Sequence, residues 1–322
     1  MVRVTPQVWQ PKSLEEAWDL GRSLGSGASY VSGGTWLQIQ WRAGSLPRPG
    51  HLIRLDSIPE LYERSKLHPP GDREPGAAST GRPSGSGAEL FRIGGMTPLA
   101  ALRSDVGWGR LFPALPSACR RIAAPAVREL ATVAGNLMTA GDLTPAFVAM
   151  RAQLVWFTEG MRVRQSLEDW LQGGGAAGSG QGADPAAILA AVEIPPGALG
   201  GETFYVKLTR RDTFVPAVVT VAGWLVRDED GVVREAVLAV GGAGVRPGRL
   251  RRAESCLKGG ALWDDRVLLS TAQAVWEEFA PKGDTFSSAD YCRRAASNLI
   301  IRELIKMRDP SQGGGQSAAT QS

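Results

Sequence analysis

The chain has only three cysteines, Cys119, Cys256 and Cys292, far apart and with no C-x-x-C pair. That spacing excludes a zinc knuckle, an iron–sulfur ligand set and a disulfide framework, and it suits a reducing compartment. Histidine is scarcer still, with His51 and His68 the whole supply. One sits in a loop-like stretch and the other among prolines, so the commonest general bases and metal ligands are nearly missing. No apolar run reaches the roughly 18 residues needed to span a bilayer. No basic head followed by an apolar core opens the chain, so a soluble, cytoplasmic protein without a membrane partner is expected. Lys+Arg 36 against Asp+Glu 32 leaves +4 with no block of like charge, which gives no nucleic-acid footprint. With no catalytic residue and no metal set in view, a bound organic cofactor is left to carry the chemistry.

What is present is ordinary globular usage: 322 residues, 43% apolar and 21% charged, enough for two or three compact units. Forty glycines and 21 prolines point to many loops. Ser13 stands three residues before Glu16, and Leu14, Ala17, Trp18 and Leu24 follow at helical spacing to Gly25, which predicts one capped amphipathic helix. Ala28 to Ser32 and Leu52 to Leu55 read as short strands, closing a small α/β unit near Pro59. Lys66 to Ala88 lacks aromatic residues and is rich in Gly, Pro and Ser, so a flexible insertion is expected over 66–88. Thr97-Pro98 and Thr144-Pro145 look like helix starts, and Glu159-Gly160 looks like a hairpin turn, within a second unit over about 89–195. A second flexible run is expected from Gln172 to Asp184. Strands near Phe204, Ala217 to Leu225 and Glu235 to Val240, then helices near Asp264 to Phe279 and Ser288 to Ile305, predict an α+β domain over 202–308. The tail, 309–322, has nothing to bury.

Two short patterns fail on context. Gly173-x-Gly175-x-x-Gly178 matches a dinucleotide fingerprint but follows no strand, and Gly21-x-Ser23-x-Gly25 matches a nucleophile elbow but lies within the first helix. Two other turns are better placed, Tyr30 to Leu37 (Y-V-S-G-G-T-W-L) and Ala131 to Ala140 (A-T-V-A-G-N-L-M-T-A), each read as an apolar stretch running into a polar turn. Glycine lets backbone N–H groups approach an oxyanion, and Ser, Thr and Asn add donors, so each turn is either a phosphate cradle or an ordinary tight turn.

The ordered series S-G-G-T-W-L, H-L-I-R-L-D-S-I-P-E-L, F-R-I-G-G-M-T-P-L-A-A-L, R-R-I-A-A-P-A-V-R-E-L-A-T-V-A-G-N and Y-V-K-L-T-R-R resembles the FAD-binding medium subunit of the molybdenum hydroxylases, the xanthine dehydrogenase and carbon monoxide dehydrogenase type. The resemblance runs from about Val4 to Met307. It implies an α+β chain: a two-part FAD-binding domain of the vanillyl-alcohol oxidase type over 1–195, with parts about 1–59 and 89–195 and the cofactor between them, then a carbon monoxide dehydrogenase flavoprotein C-terminal domain. It implies FAD contacts from Tyr30, Val31, Ser32, Gly33, Gly34, Thr35, Trp36 and Leu37, and from Thr132, Val133, Ala134, Gly135 and Asn136. Thr139 and Asp142 take the place of polar residues that reach FAD, Leu189 that of an apolar flavin neighbour or a core residue, and Lys207 that of a lysine near the flavin ring or an exposed strand lysine. The sequence departs from the family after Asn136, where the segment to Asp142 is shorter, and at Ala134 and Ser32, which replace a common Gly and Ala. Neither turn contains a histidine, so the FAD is expected to be noncovalent.

The resemblance further implies a subunit that relays electrons from iron–sulfur clusters through FAD to NAD or another acceptor. Molybdopterin and the clusters would belong to a large and a small partner subunit, with no catalytic side chain and no metal in this chain. A flavin-poor docking subunit and a stand-alone flavin oxidoreductase are the alternatives.

Overall fold

The computed structural model describes residues 5–67, 90–173, 184–211 and 217–308. The insertion expected from Lys66, the run from Gln172 and the tail fall mostly outside the described residues, and their described edges are ordered. Among these residues the twelve strands, in chain order, are β1 (Gln7–Trp9), β2 (Ala28–Val31), β3 (His51–Arg54), β4 (Arg64–Leu67), β5 (Leu90–Gly94), β6 (Gln153–Thr158), β7 (Met161–Ser166), β8 (Ile188–Ile194), β9 (Glu202–Leu208), β10 (Val219–Arg227), β11 (Val233–Gly242) and β12 (Val245–Arg249). They divide between two compact units, Met1–Leu99 with Leu130–Thr139 and Arg151–Leu199, and Ala100–Glu129 with Ala140–Met150 and Gly200–Ser322.

The first unit holds two sheets. β1, β3 and β2 form a parallel sheet in that order, and parallel pairing needs crossovers, which the helices Leu14–Leu24 and Thr35–Ala43 supply. The helix Leu14–Leu24 starts as the sequence predicts: Ser13 Oγ accepts the Glu16 N–H at 3.1 Å, and the Glu16 carboxylate accepts the Lys12 N–H at 2.7 Å. Its inner face, Leu14, Ala17 and Trp18, packs with Ile53, Leu55, Phe157 and Ile188. The other sheet is antiparallel in the order β4-β5-β8-β6-β7. Lys66 and Leu67 therefore belong to a strand, paired with Phe91 and Leu90, where a flexible segment was expected; a polar edge strand carries little hydrophobic signal to be read.

Asp184 is likewise anchored. Its carboxylate accepts hydrogen bonds from Trp18 Nε1, from Thr158 Oγ1 at 2.8 Å and from the Ala186 N–H at 2.8 Å. Glu193 on β8 is fully buried between two arginines. Arg92, its register partner on β5, reaches Oε1 at 3.1 Å, and Arg164 on β7 reaches Oε2 at 2.7 Å.

The second unit is built on the antiparallel meander β12-β11-β10-β9. The helices Asp265–Glu278 and Ala289–Arg308 supply Val275, Ile300 and Leu304 to a core with Val221, Leu238 and Val240. The strand Val245–Arg249 was not read from sequence, because V-R-P-G-R shows no alternating apolar pattern. The units also cut across the sequence division into 89–195 and 202–308. The helix Ala114–Arg121 packs on β9 and the helix Thr144–Ala149 on β10, β11 and β12, so both segments go with the C-terminal sheet. Arg128 closes the end of the helix Ala114–Arg121, donating to the carbonyls of Arg120, Ile122 and Ala123.

Candidate functional site

The first glycine turn joins β2 to the helix Thr35–Ala43, an element the sequence reading missed. Gly34 is its N-cap with φ +67°, a left-handed value that favours glycine, and no side chain caps that end. The helical ladder begins with the Gln38 N–H on the Gly34 carbonyl at 3.0 Å, so the N–H groups of Thr35, Trp36 and Leu37 precede it and point out of the helix end. Gly33 is glycine for another reason: a Cβ there would lie 1.7 Å from the Leu130 carbonyl oxygen. Val31 is tied into the sheet, its carbonyl accepting the Leu55 N–H at 3.0 Å. The Tyr30 side chain is committed inward, its hydroxyl donating to the carbonyls of Ala186 at 2.8 Å and Ala17 at 3.2 Å. Burial first, and Asp184 second, push the Tyr30 phenol above its ordinary pKa. Only the Tyr30 backbone is left for a ligand.

The second turn is a short helix, Val133–Met138, rather than an apolar stretch running into a loop. Thr132 is extended and caps it, Oγ1 accepting the Gly135 N–H at 3.1 Å, a device that the apolar reading of A-T-V-A-G passed over. The turn is laced to the segment before it by Leu99 N–H to Ala131 O at 2.8 Å, Val133 N–H to Thr97 O at 3.0 Å and Ala134 N–H to Gly95 O at 2.8 Å. Ala134 is nearly buried, and a Cβ on Gly95 would lie 3.1 Å from its methyl and 2.4 Å from the Leu189 carbonyl oxygen. Leu189 is itself a buried β8 residue. Thr139 ends the helix, its hydroxyl donating to the carbonyls of Asn136 at 3.0 Å and Gly135 at 3.1 Å.

The first unit thus brings the two turns side by side. Ser32 Cβ lies 3.9 Å from where a Gly135 Cβ would stand, and Gly33 abuts Leu130. Ser32, Gly33, Gly34, Thr35, Gly135 and Asn136 are all half-exposed. A helix end with uncapped N–H groups, small residues that leave room and hydroxyls close by fits the diphosphate of a dinucleotide cofactor.

Asp142 and Lys207, in the second unit, bind each other. Lys207 Nζ lies 2.7 Å from Asp142 Oδ2 with the lysine side chain 4% exposed, so the alternative of an exposed strand lysine is set aside. Tyr205, two residues earlier on the same face of β9, donates its hydroxyl to the Asp142 carbonyl at 2.9 Å. The sequence reading missed this tyrosine, although the strand period in Y-V-K places it beside Lys207. Burial, then Asp142, hold its phenol well above the ordinary pKa. Burial also pushes the Cys119 thiol up to about 12, which removes it as a nucleophile.

Neither rejected motif has acquired chemistry. Ser23 Oγ donates to the Leu20 carbonyl at 3.1 Å, and Gly21 is glycine because a Cβ would sit 2.0 Å from the Tyr30 hydroxyl oxygen. Gly175 and Gly178 lie outside the described residues. Among the described residues no group of three or more His, Cys, Asp or Glu could hold a metal.

Comparison with known proteins gives two family matches and several similar structures. Residues 85–197 match the family described as FAD binding domain in molybdopterin dehydrogenase, and residues 204–307 the family described as CO dehydrogenase flavoprotein C-terminal domain. Among solved structures, a reconstituted CO dehydrogenase from Oligotropha carboxidovorans superposes with a TM-score of 0.79 at 23% identity, covering 96% of this chain and 100% of that one. A carbon monoxide dehydrogenase from Hydrogenophaga pseudoflava lacking the Mo-pyranopterin moiety gives 0.77 at 24%, covering 94% and 96%. Quinoline 2-oxidoreductase from Pseudomonas putida 86 gives 0.77 at 22%, covering 96% and 98%. The fold is that of these chains. None of the curated proteins matches in sequence.

Proposed function

Because the chain belongs to the FAD-binding flavoprotein family of the molybdenum hydroxylases, we propose that it holds FAD noncovalently and passes electrons from a partner's iron–sulfur clusters to NAD or another acceptor. The observation that carries this reading is the pairing of the Ser32–Gly34 turn with the Thr132–Gly135 turn in one unit. The N–H groups of Thr35, Trp36 and Leu37 would hold the cofactor's diphosphate, with Ser32 and Asn136 beside them. When bound, FAD supplies the one- and two-electron chemistry that no side chain here offers.

The chain's own work is to bind, orient and exclude water. Gly33 lets the turn lie against Leu130, and Gly34 supplies the left-handed start of the helix whose end faces the cofactor. Thr132 and Thr139 fix the two ends of the short helix that carries Gly135 and Asn136. The Asp142–Lys207 pair stays charge-balanced inside the second unit, and Leu189 adds apolar surface. Substrate oxidation falls to a molybdopterin-containing large subunit and cluster transport to a small one. No helix among the described residues is long and apolar enough to cross a membrane, and a cytoplasmic location is part of the proposal.

The test is release of the chromophore. Acid precipitation of the purified assembly should leave a yellow supernatant containing intact FAD by mass spectrometry, with no flavin in the pellet. A folded assembly without flavin absorbance would replace the relay with the docking-subunit reading, and flavin retained in the pellet would mean a covalent bond.

A further inference from the structure

None of the nine residues of the helix Thr35–Ala43 is buried, although Trp36, Leu37, Ile39 and Trp41 carry large apolar side chains. Leu37 and Trp41 are half-buried. Trp36 is 43% exposed, Ile39 is 62% exposed, and Ala43 is exposed as well. Positions 36, 39 and 43 follow the i, i+3, i+7 spacing of one helix face, so these three line up as a single stripe, roughly opposite Leu37 and Trp41. The helix is thus apolar on both sides, and only one side is needed to seat it on its own unit.

The charge beside the stripe has one sign. Arg42, exposed in the last turn, and Arg48, exposed in the loop that follows, are the charged residues between Thr35 and Gly50. No Asp or Glu occurs anywhere from Leu20 to Leu55. The Arg48 guanidinium lies 5.9 Å from the centroid of the Trp41 ring, which holds a cation close against the helix. Arg54, on β3, is already paired with Asp56 and adds nothing.

We propose that this helix is a docking surface for an anionic lipid membrane, with Trp36 and Ile39 entering the headgroup layer and Arg42 and Arg48 meeting lipid phosphates. Tryptophan and short apolar side chains flanked by arginine are the chemistry of helices that lie in the membrane interface, and contact of this kind needs no spanning segment. The absence of carboxylates favours lipid over a protein partner. A protein matches charges at fixed points and tolerates acids between them, whereas a sheet of lipid phosphates repels an acid wherever it falls. Side chains make the contact, so the N–H groups of Thr35, Trp36 and Leu37 stay available to the cofactor. All the residues lie in the first unit, and the inference stands without the relay reading.

Flotation of the purified assembly with vesicles of phosphatidylcholine alone, and of phosphatidylcholine with phosphatidylglycerol, tests it. Binding is expected on the anionic vesicles, at least about tenfold weaker on the neutral ones, and reversed as salt rises from about 0.05 M to about 0.5 M. The double variant Arg42→Gln with Arg48→Gln should bind anionic vesicles about tenfold more weakly, and Ile39→Gln about fivefold, with flavin content and melting temperature unchanged. Hydrogen exchange read by mass spectrometry should slow over Thr35 to Arg48 when anionic vesicles are added. Equal binding to both vesicles overturns the proposal, as do variants that bind like the parent. Binding to neither vesicle overturns it too, and is the result if a partner subunit covers the stripe. Self-association of the assembly that Ile39→Gln abolishes would assign the stripe to a second copy instead. Flavin content measured in the same samples reports on the relay reading separately, so either can fail alone.

Discussion

Lys207 and Asp142, 65 positions apart in sequence, close a buried ion pair at 2.7 Å in which the lysine side chain is 4% exposed and the aspartate 22%. Removing one partner leaves the other as a buried unpaired charge, the costliest way to break such a pair. Lys207→Met and Asp142→Asn should each lower the unfolding free energy by about 3 kcal/mol. The double variant should lose clearly less than the sum of the two. Urea denaturation of the four proteins reads this directly, and strictly additive losses would show that the pair does not act as a unit.

The two glycines of the first turn should respond differently to a single methyl group. In Gly33→Ala the new Cβ runs into the backbone of Leu130, which cannot move aside as a side chain would, so both stability and flavin content should fall. In Gly34→Ala the nearest atom is Val31 Cγ1 at 3.5 Å, and the cost should be the left-handed backbone alone, about 1–2 kcal/mol. Thermal melts and flavin-to-protein absorbance ratios measure both effects. A Gly34→Ala protein more damaged than Gly33→Ala would contradict the geometry.

Asp184 predicts a pH dependence. Burial pushes its carboxyl up, but hydrogen bonds from Trp18, Ala186 and Thr158, with Arg22 nearby, outweigh it, and the pKa lies below the ordinary value. A carboxyl whose folded pKa is depressed contributes stability above its unfolded value of about 3.9, lost as pH falls through the folded value. Asp184→Asn should therefore be less stable than wild type at pH 7 and approach it as the solution is acidified below the ordinary carboxylate value of about 3.9. A stability gap that stays constant down that range would rule the carboxylate out as its source.

Ala123 adopts φ +49° without being glycine, and it lies under the Arg128 guanidinium, whose hydrogen bond to the Ile122 carbonyl is 2.9 Å. Ala123→Gly should raise stability by up to about 1 kcal/mol by relieving that conformation. Arg128→Gln should cost about 2 kcal/mol, since three carbonyls lose a charged donor. Chemical denaturation decides both, and a destabilising Ala123→Gly would mean that the arginine imposes no strain there.

What could be read from sequence was local. The capped helix at Ser13 and the hairpin at Glu159-Gly160, with φ of 50° and 74°, follow from short-range rules that neighbouring residues satisfy among themselves. The helix Thr35–Ala43 was not legible, because it begins on a left-handed glycine with no polar cap and leaves Ile39 62% exposed, so neither a start signal nor an amphipathic stripe marks it. At the site, the two glycine turns stood out by composition, whereas their meeting depends on Gly33 touching Leu130, a contact across 97 positions. Asp142 and Lys207 each carried the right residue type for a ligand. That they bind one another is a fact of tertiary structure which no spacing rule encodes.

Glu193 gives the antiparallel sheet a means of error correction. Its strand, I-L-A-A-V-E-I, is otherwise apolar and buried at all seven positions, and such a strand could slide by one residue with little change in buried oily surface. A slip would carry the carboxylate to the opposite face, away from Arg92 and Arg164, and strand an ion in the interior at a cost of several kcal/mol. The misaligned sheet is thereby made too unstable to persist, and a single charge in an otherwise apolar strand acts as the proofreader of its assembly.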